Sequence, residues 1–235
     1  MADYIRERSS GEIVRDSLKI YRNNFATIFA VYFFSAFLWE FIYEILDATD
    51  SWPRGKWFFK GLGKLMPFVA GVQLTSVVAQ IYLGYEVNTS KIFRNPTVLT
   101  RAVLTGMLVI ILFPLYPLTM FAVPVVVLEN VWAFKALRRS LELGRHHYVR
   151  NFGVFIWPYT AYFIVWLIFF LVRIIQVFWG GSVSVYTAIA FAGLRGAAFS
   201  LLTPLAIITT VLFYFDMRIR NEAYDIVSLA EELRK

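Results

Sequence analysis

The chain has 235 residues, of which 59% are hydrophobic, 18% aromatic and only 17% charged, with a mean hydropathy of +0.61. A soluble domain carries roughly 25% charged residues, and one of this length still exposes too much surface to hide so apolar a composition. The lack of cysteine excludes disulfides, thiol catalysis, iron–sulfur clusters and cysteine-based zinc sites. The net charge of +7 sits in Lys and Arg flanking apolar runs, which points to anionic lipid headgroups and away from nucleic acid.

One integral membrane domain over 1–235 is the economical reading, and the first apolar run, near Phe25, is too long for a cleavable signal segment. Residues 9–24 read as an amphipathic helix on the membrane surface or as a first turn of the next helix. Ser9 and Glu12 have capping-box spacing, and Val14, Leu18, Tyr21 and Phe25 fall on one face. The first span is expected over 25–46 and holds Glu40 and Glu44 one turn apart. A loop with Trp52, Pro53, Gly55, Trp57, Gly61 and Gly63 follows. The second span is expected over 65–85, carrying Gln73, Thr75, Ser76 and Gln80, and then a basic loop with Lys91, Arg94 and Arg101.

Residues 102–128 are apolar but contain Pro114, Pro117 and Pro124, so the helix must break near 114–117. The choice lies between one kinked span and two short helices that dip in and return. Residues 129–150 carry Lys135, Arg138, Arg139, Arg145 and Arg150, so both flanks of this segment are basic and are expected on the cytoplasmic side. That parity favours the hairpin, while Arg54, Lys56, Lys60 and Lys64 in the supposed outer loop argue the other way.

A surface helix is expected over 130–143, with Val131, Phe134, Leu137 and Leu141 on one face. Two further spans are expected, over 152–177 and 196–215, joined by an uncharged link around Gly180 and Gly181. Residues 183–194 either extend the last span or lie in the outer interface. The segment 219–235 is amphipathic and reads as a cytoplasmic tail helix.

Three stretches resemble a known family: SLKIYRNNFATIF (17–29), PVVVLENVWAFKALRRSLELGRHHYVRNFGVF (124–155) and TPLAIITTVLFYFDMRIRNEAYDIVSLAEEL (203–233). They are similar to the bacterial integral-membrane family named for the glycerophosphoryl diester phosphodiesterase membrane domain, with looser similarity to YciC-type inner-membrane proteins. The most specific parts are 214–220 and 129–143. The resemblance implies a six-helix bundle in the bacterial cytoplasmic (inner) membrane with both termini cytoplasmic. It implies no established activity, since most members are uncharacterised; the name comes from fusion to a separate phosphodiesterase domain, and nothing like that domain is expected in this sequence.

Four charges are candidates for an intramembrane cluster: Glu40, Glu44, Arg173 and Arg195. They form either a polar, headgroup-binding cavity in the outer leaflet or snorkelling side chains and ion pairs that only hold the bundle. Arg138, Arg139, Asp216, Arg218, Arg220 and Glu222 are candidates for a clamp joining the last span to the basic surface helix. His146 and His147 are adjacent, lack the spacing of metal ligands, and read as headgroup-level residues. Gln73, Thr75, Gln80, Ser200 and Thr203 line a polar path or, more commonly, bond helix to helix. No Walker loop, catalytic triad or dinucleotide fingerprint is present in the sequence.

The sequence therefore predicts an all-α polytopic bundle of five to six membrane helices, one pair a short Pro-broken hairpin, with cytoplasmic amphipathic helices. The expected function is that of a non-enzymatic scaffold, accessory subunit or lipid-binding component, without metal or cofactor, whose partners are anionic headgroups and other membrane subunits. The alternative is a transport or channel component that uses the break in 102–128.

Overall fold

The computed structural model describes residues 7–48, 55–89, 95–112, 115–145, 148–178 and 184–222, and every regular element among them is a helix. The expected tail helix is described only as far as Glu222. His146 and His147, and the side chains of Glu40 and Glu44, lie outside the described residues.

Helix α1 (Ser10–Asn23) opens with the expected capping box. Ser9 Oγ accepts the Glu12 amide at 3.3 Å, and the Glu12 carboxylate accepts the Ser9 amide at 2.8 Å. Helix α2 (Phe25–Ala48) carries a phenylalanine every fourth residue from Phe25 to Phe41, and the rings stack one on the next at 4.3–5.5 Å. Spacing of four brings side chains onto one face. The far end of the ladder lies against α9 (Val185–Glu222), where Phe37 and Phe41 pack over Gly196 and Gly193.

Helix α3 (Lys56–Leu83) starts nine residues before the expected 65, so Trp57, Gly61 and Gly63 belong to a helix and not to a loop. A glycine costs a helix only about 1 kcal/mol, and the surrounding Trp, Phe, Lys and Leu are compatible with continuation. Gly84 ends α3 in the left-handed region, φ 74°, which glycine adopts without strain.

Residues 96–130 form two short arms. Helix α4 (Pro96–Ile111) is followed by a single turn, α5 (Tyr116–Thr119), and by α6 (Ala122–Glu129), which packs back against α4. Arg101, near the start of α4, donates to the carbonyl and side-chain oxygens of Asn130 at 3.2 and 3.1 Å, just past the end of α6. The segment therefore enters and leaves at the same end of the bundle. Arg101, expected in the preceding loop, is helical. Eight residues give α6 a length of about 12 Å, well short of the roughly 30 Å of a hydrocarbon core.

Helix α7 (Ala133–Gly144) lies against the hairpin. It buries Ala133, Ala136, Leu137, Ser140 and Leu143, while Phe134 is 75% exposed and Leu141 is also exposed. The expected stripe is thus turned by about 100°, one residue's rotation. Helix α1 shows the same offset: Ile13 and Ser17 are fully buried, and Leu18 and Phe25 are exposed. In both helices small or hydroxylated residues such as Ser17, Ala136 and Ser140 approach the bundle closely beside Ile13, Leu137 and Leu143, while Leu18, Phe134 and Leu141 face outward.

Helix α8 (Tyr148–Phe178) runs antiparallel to α9. Tyr162 stacks on Phe199, and Phe169 meets Phe191 edge-on. Residues 185–194 extend α9 and do not lie separately in an interface. Three helical stretches among the described residues are long and apolar enough to cross a membrane: Leu65–Leu83, Phe152–Ile175 and Tyr186–Glu222. They differ in role, since 61% of the best apolar window in the α9 stretch is buried against 12% in the α8 stretch. Helix α9 is the central post, with every residue from 211 to 218 buried, and α8 is a peripheral stave.

Candidate functional site

Two constructions stand out: a buried charge cluster at the end of the bundle where α3 and α9 finish, and a cavity near the tip of the hairpin.

The charge cluster grows from the last turns of α9. Positions 214, 218 and 222 share one face, and 216 and 220 another, because residues four apart align on a helix. On the second face Asp216, only 1% exposed, accepts the Arg8 amide at 2.6 Å and the Arg220 Nε at 3.0 Å. Arg150 faces the same carboxylate as an ion pair at 2.7 Å, without hydrogen-bond alignment. The Arg8 carbonyl in turn accepts from Arg220 at 2.8 Å and from Arg150. The Arg8 guanidinium is itself buried, donating to Tyr82 at 3.0 Å and pairing with Asp16 at 3.2 Å. Glu7 completes the set by pairing with Arg220 at 2.6 Å.

On the first face Tyr214 donates to Glu129 at 2.8 Å and accepts from Arg218 at 3.2 Å. Glu222 receives Arg218 at 3.2 Å and also Arg139, which lies 3.5 Å from Glu129. Asn221 donates to the Leu143 carbonyl at 3.0 Å, so α7 is tied down at a second point. The cluster joins α1, α3, α6, α7, α8 and α9, and each of these guanidiniums meets a carboxylate. That mutual pairing offsets the cost of removing charges from water.

Of the six residues expected to form a clamp, five are in this cluster: Arg139, Asp216, Arg218, Arg220 and Glu222. Arg138 is not. It is 84% exposed in its side chain and pairs with Glu142 one turn on, because the offset of α7 turns position 138 outward. Sequence reasoning missed Glu7, Arg8, Glu129, Arg150 and the tyrosines 82 and 214. The available signal was a charge directly abutting an apolar run, as at Glu129; Arg8, between Glu7 and Ser9, carries no such mark.

Of the expected outer-leaflet cluster, only Arg173 and Arg195 have side chains among the described residues. Arg173 and Arg195 lie on opposite sides of the Phe169–Phe191 contact along the antiparallel pair. Arg173 is exposed and Arg195 half-buried, and both have interaction partners. Gln73 and Gln80 do not line a path. Gln73 donates to the Thr89 carbonyl at 2.7 Å, and Gln80 accepts the Asn88 amide at 2.6 Å, pinning residues 85–89 back along α3.

The cavity has a volume of about 420 Å³, is half open to the surface, and is lined by α2, α3, α4, α5, α6, α8 and α9. Its walls are apolar, from Phe68, Val72, Val109, Met120, Val123 and Ile207, with no charged residue. Its polar groups are hydroxyls. Tyr159 donates to Tyr116 at 3.1 Å, and the Tyr162 and Thr203 hydroxyls meet. Thr75, Thr119 and Thr210 return their protons to carbonyls four residues back. Gly106 makes room for the Phe68 ring: a Cβ would fall 2.0 Å from the ring's far edge, and the ring would have to move aside. No group of His, Cys, Asp or Glu that could hold a metal occurs among the described residues.

Fold and site define an all-helical bundle with three helices able to cross a membrane among the described residues, closed at one end by ion pairs. Comparison with family models, curated proteins and solved structures finds no match.

Proposed function

We propose that this chain is a non-catalytic multi-pass protein of the bacterial inner membrane, serving as a lipid-binding component or accessory subunit of a membrane complex. The observation that carries this reading is the surface of α8. Phe163, Ile164, Trp166, Ile168, Phe170 and Leu171 are all exposed on a helix long enough to span, and Trp166 stacks on Phe170 at 4.9 Å. In water such a face would be an aggregation surface; against acyl chains it is at home. The interior supports a scaffold, since its buried charges are engaged with one another.

The charge cluster belongs on the cytoplasmic side in this reading, with both termini there and anionic headgroups around the rim. The exposed residues of α7, Trp132, Phe134 and Leu141 beside Lys135 and Arg138, suit the boundary between headgroups and chains. If α2 crosses, then α2, α3, α8, α9 and the two arms of a re-entrant hairpin make six membrane helices, the upper end of the expected five to six. Kinship with the family of the glycerophosphoryl diester phosphodiesterase membrane domain belongs to the same proposal. Extraction in mild detergent, with analysis of everything that co-purifies, is the test. Retained lipid or a stoichiometric protein partner is expected, and a monodisperse species in detergent-free buffer overturns the reading. The cavity beside Tyr116 favours, as a second reading, a transport component that uses the break in 102–128; solute flux in proteoliposomes separates the two.

A further inference from the structure

We propose that the cavity at the hairpin tip is a binding site for an uncharged apolar chain bearing one hydroxyl or ester oxygen. This deepens the lipid-binding reading and rests on it.

Protein interiors are close-packed, and voids much larger than a water molecule are few. A cavity of about 420 Å³ falls within the size range of small-molecule sites. Its apolar walls make it a poor host for ordered water, and its open side gives a ligand a way in. Apolar matter is the fitting content.

The lining selects further. It contains no charged side chain, so a carboxylate, phosphate or ammonium placed inside would be desolvated without a counter-charge. It does contain hydroxyls gathered from three elements: Tyr116 on α5, Tyr159 and Tyr162 on α8, and Thr203 on α9. Hydroxyls donate and accept, and they rotate to suit a partner. One oxygen on an otherwise hydrocarbon ligand is the group such a cluster orients. Helix α4 ends at Ile111 and α5 begins at Tyr116 on the cavity wall, so the start of this separate turn builds the polar corner.

The ligand has two possible sources: the glycerol-ester region and chain of a bilayer lipid, or a free neutral amphiphile. The full chain in phosphatidylcholine nanodiscs is photolabelled with a diazirine-bearing long-chain fatty alcohol, and the labelled peptides are mapped by mass spectrometry. Labelling is expected on peptides containing residues 116–124 and 203–210, and separately on the outer face of α8. Val123→Phe, which fills the cavity from α6, lowers the first signal by about tenfold and leaves the second unchanged. Thr210→Leu, smaller and milder, lowers it in the same sense should the phenylalanine variant not fold. Loss of labelling to excess unlabelled alcohol assigns a free amphiphile; loss only on raising the lipid-to-protein ratio assigns a bilayer lipid. Labelling confined to α8 in the unmodified chain overturns the site but leaves the embedding intact. No labelling anywhere overturns the embedding as well. A long-chain fatty acid anion that labels the cavity as well as the alcohol refutes the requirement for an uncharged ligand.

Discussion

Asp216→Ala removes the acceptor around which one half of the charge cluster is arranged. The carboxylate is 1% exposed, and its cationic partners Arg150 and Arg220 are 20% and 22% exposed in their side chains. Deleting one partner of a buried ion pair strands the other, at a cost of about 3–5 kcal/mol. The Arg8 amide also loses its 2.6 Å acceptor. A loss of about 4 kcal/mol corresponds to a fall in the unfolding midpoint on the order of 10 °C for a chain of this length. Tryptophan fluorescence during heating in one detergent measures it. Arg138→Ala is the control: that pair is exposed, worth at most about 1 kcal/mol, and its midpoint moves little. The double variant Asp216→Ala with Arg150→Ala recovers part of the loss, since it removes one stranded charge. An Asp216→Ala midpoint equal to that of Arg138→Ala would refute the view that the cluster closes the bundle.

Gly106→Ala drives a methyl into the Phe68 ring and costs about 1–3 kcal/mol by overpacking; Phe68→Leu in the same chain relieves it, and a double-mutant cycle in thermal unfolding reads the coupling. Burial pushes the Tyr21 phenol above its usual range, and the hydroxyl donates to the Leu201 carbonyl at 2.9 Å. Its stabilising contribution is therefore full at neutral pH and drains away as pH rises through the raised value, so Tyr21→Phe costs about 1 kcal/mol at pH 7 and flattens that part of the alkaline stability profile. Because the chain has no cysteine, single cysteines report topology cleanly: in the proposed orientation a membrane-impermeant maleimide applied to intact cells labels Ser184→Cys and spares Lys135→Cys, and the opposite pattern inverts the bundle.

Helix positions were legible because spans are written in long apolar runs and a cap in two residues, Ser9 and Glu12. The start of α3 was not, because Gly61 and Gly63 read as punctuation, while a helix tolerates both at modest cost. The faces of α1 and α7 were missed for a different reason. Periodicity finds the bulky stripe, but Ala133, Ala136 and Ser140 win the close approach to the hairpin because they are small, as Ser140 shows by donating to the Leu118 carbonyl at 2.7 Å. The clamp was half legible, since spacing of four along 214–222 announces its own faces. Arg8 and Arg150 come from distant parts of the chain, and no local pattern links them to Asp216. The cavity was least legible: a tyrosine inside an apolar run reads as an ordinary span residue until three of them converge.

The bond between Arg8 and Asp216 spans 208 positions, which gives the cluster a temporal meaning. Synthesis runs from the N-terminus, and contacts far apart in sequence form late. The Arg8 and Arg139 guanidiniums have acids of their own early, Asp16 and Glu129, but Arg150 emerges well before its carboxylate exists. The arrival of residues 216–222 then gives Arg150 its acid, the Arg8 amide its acceptor and Arg139 a second carboxylate. It works as a latch that shuts only on a finished chain, so a product truncated before Asp216 would leave Arg150 stranded.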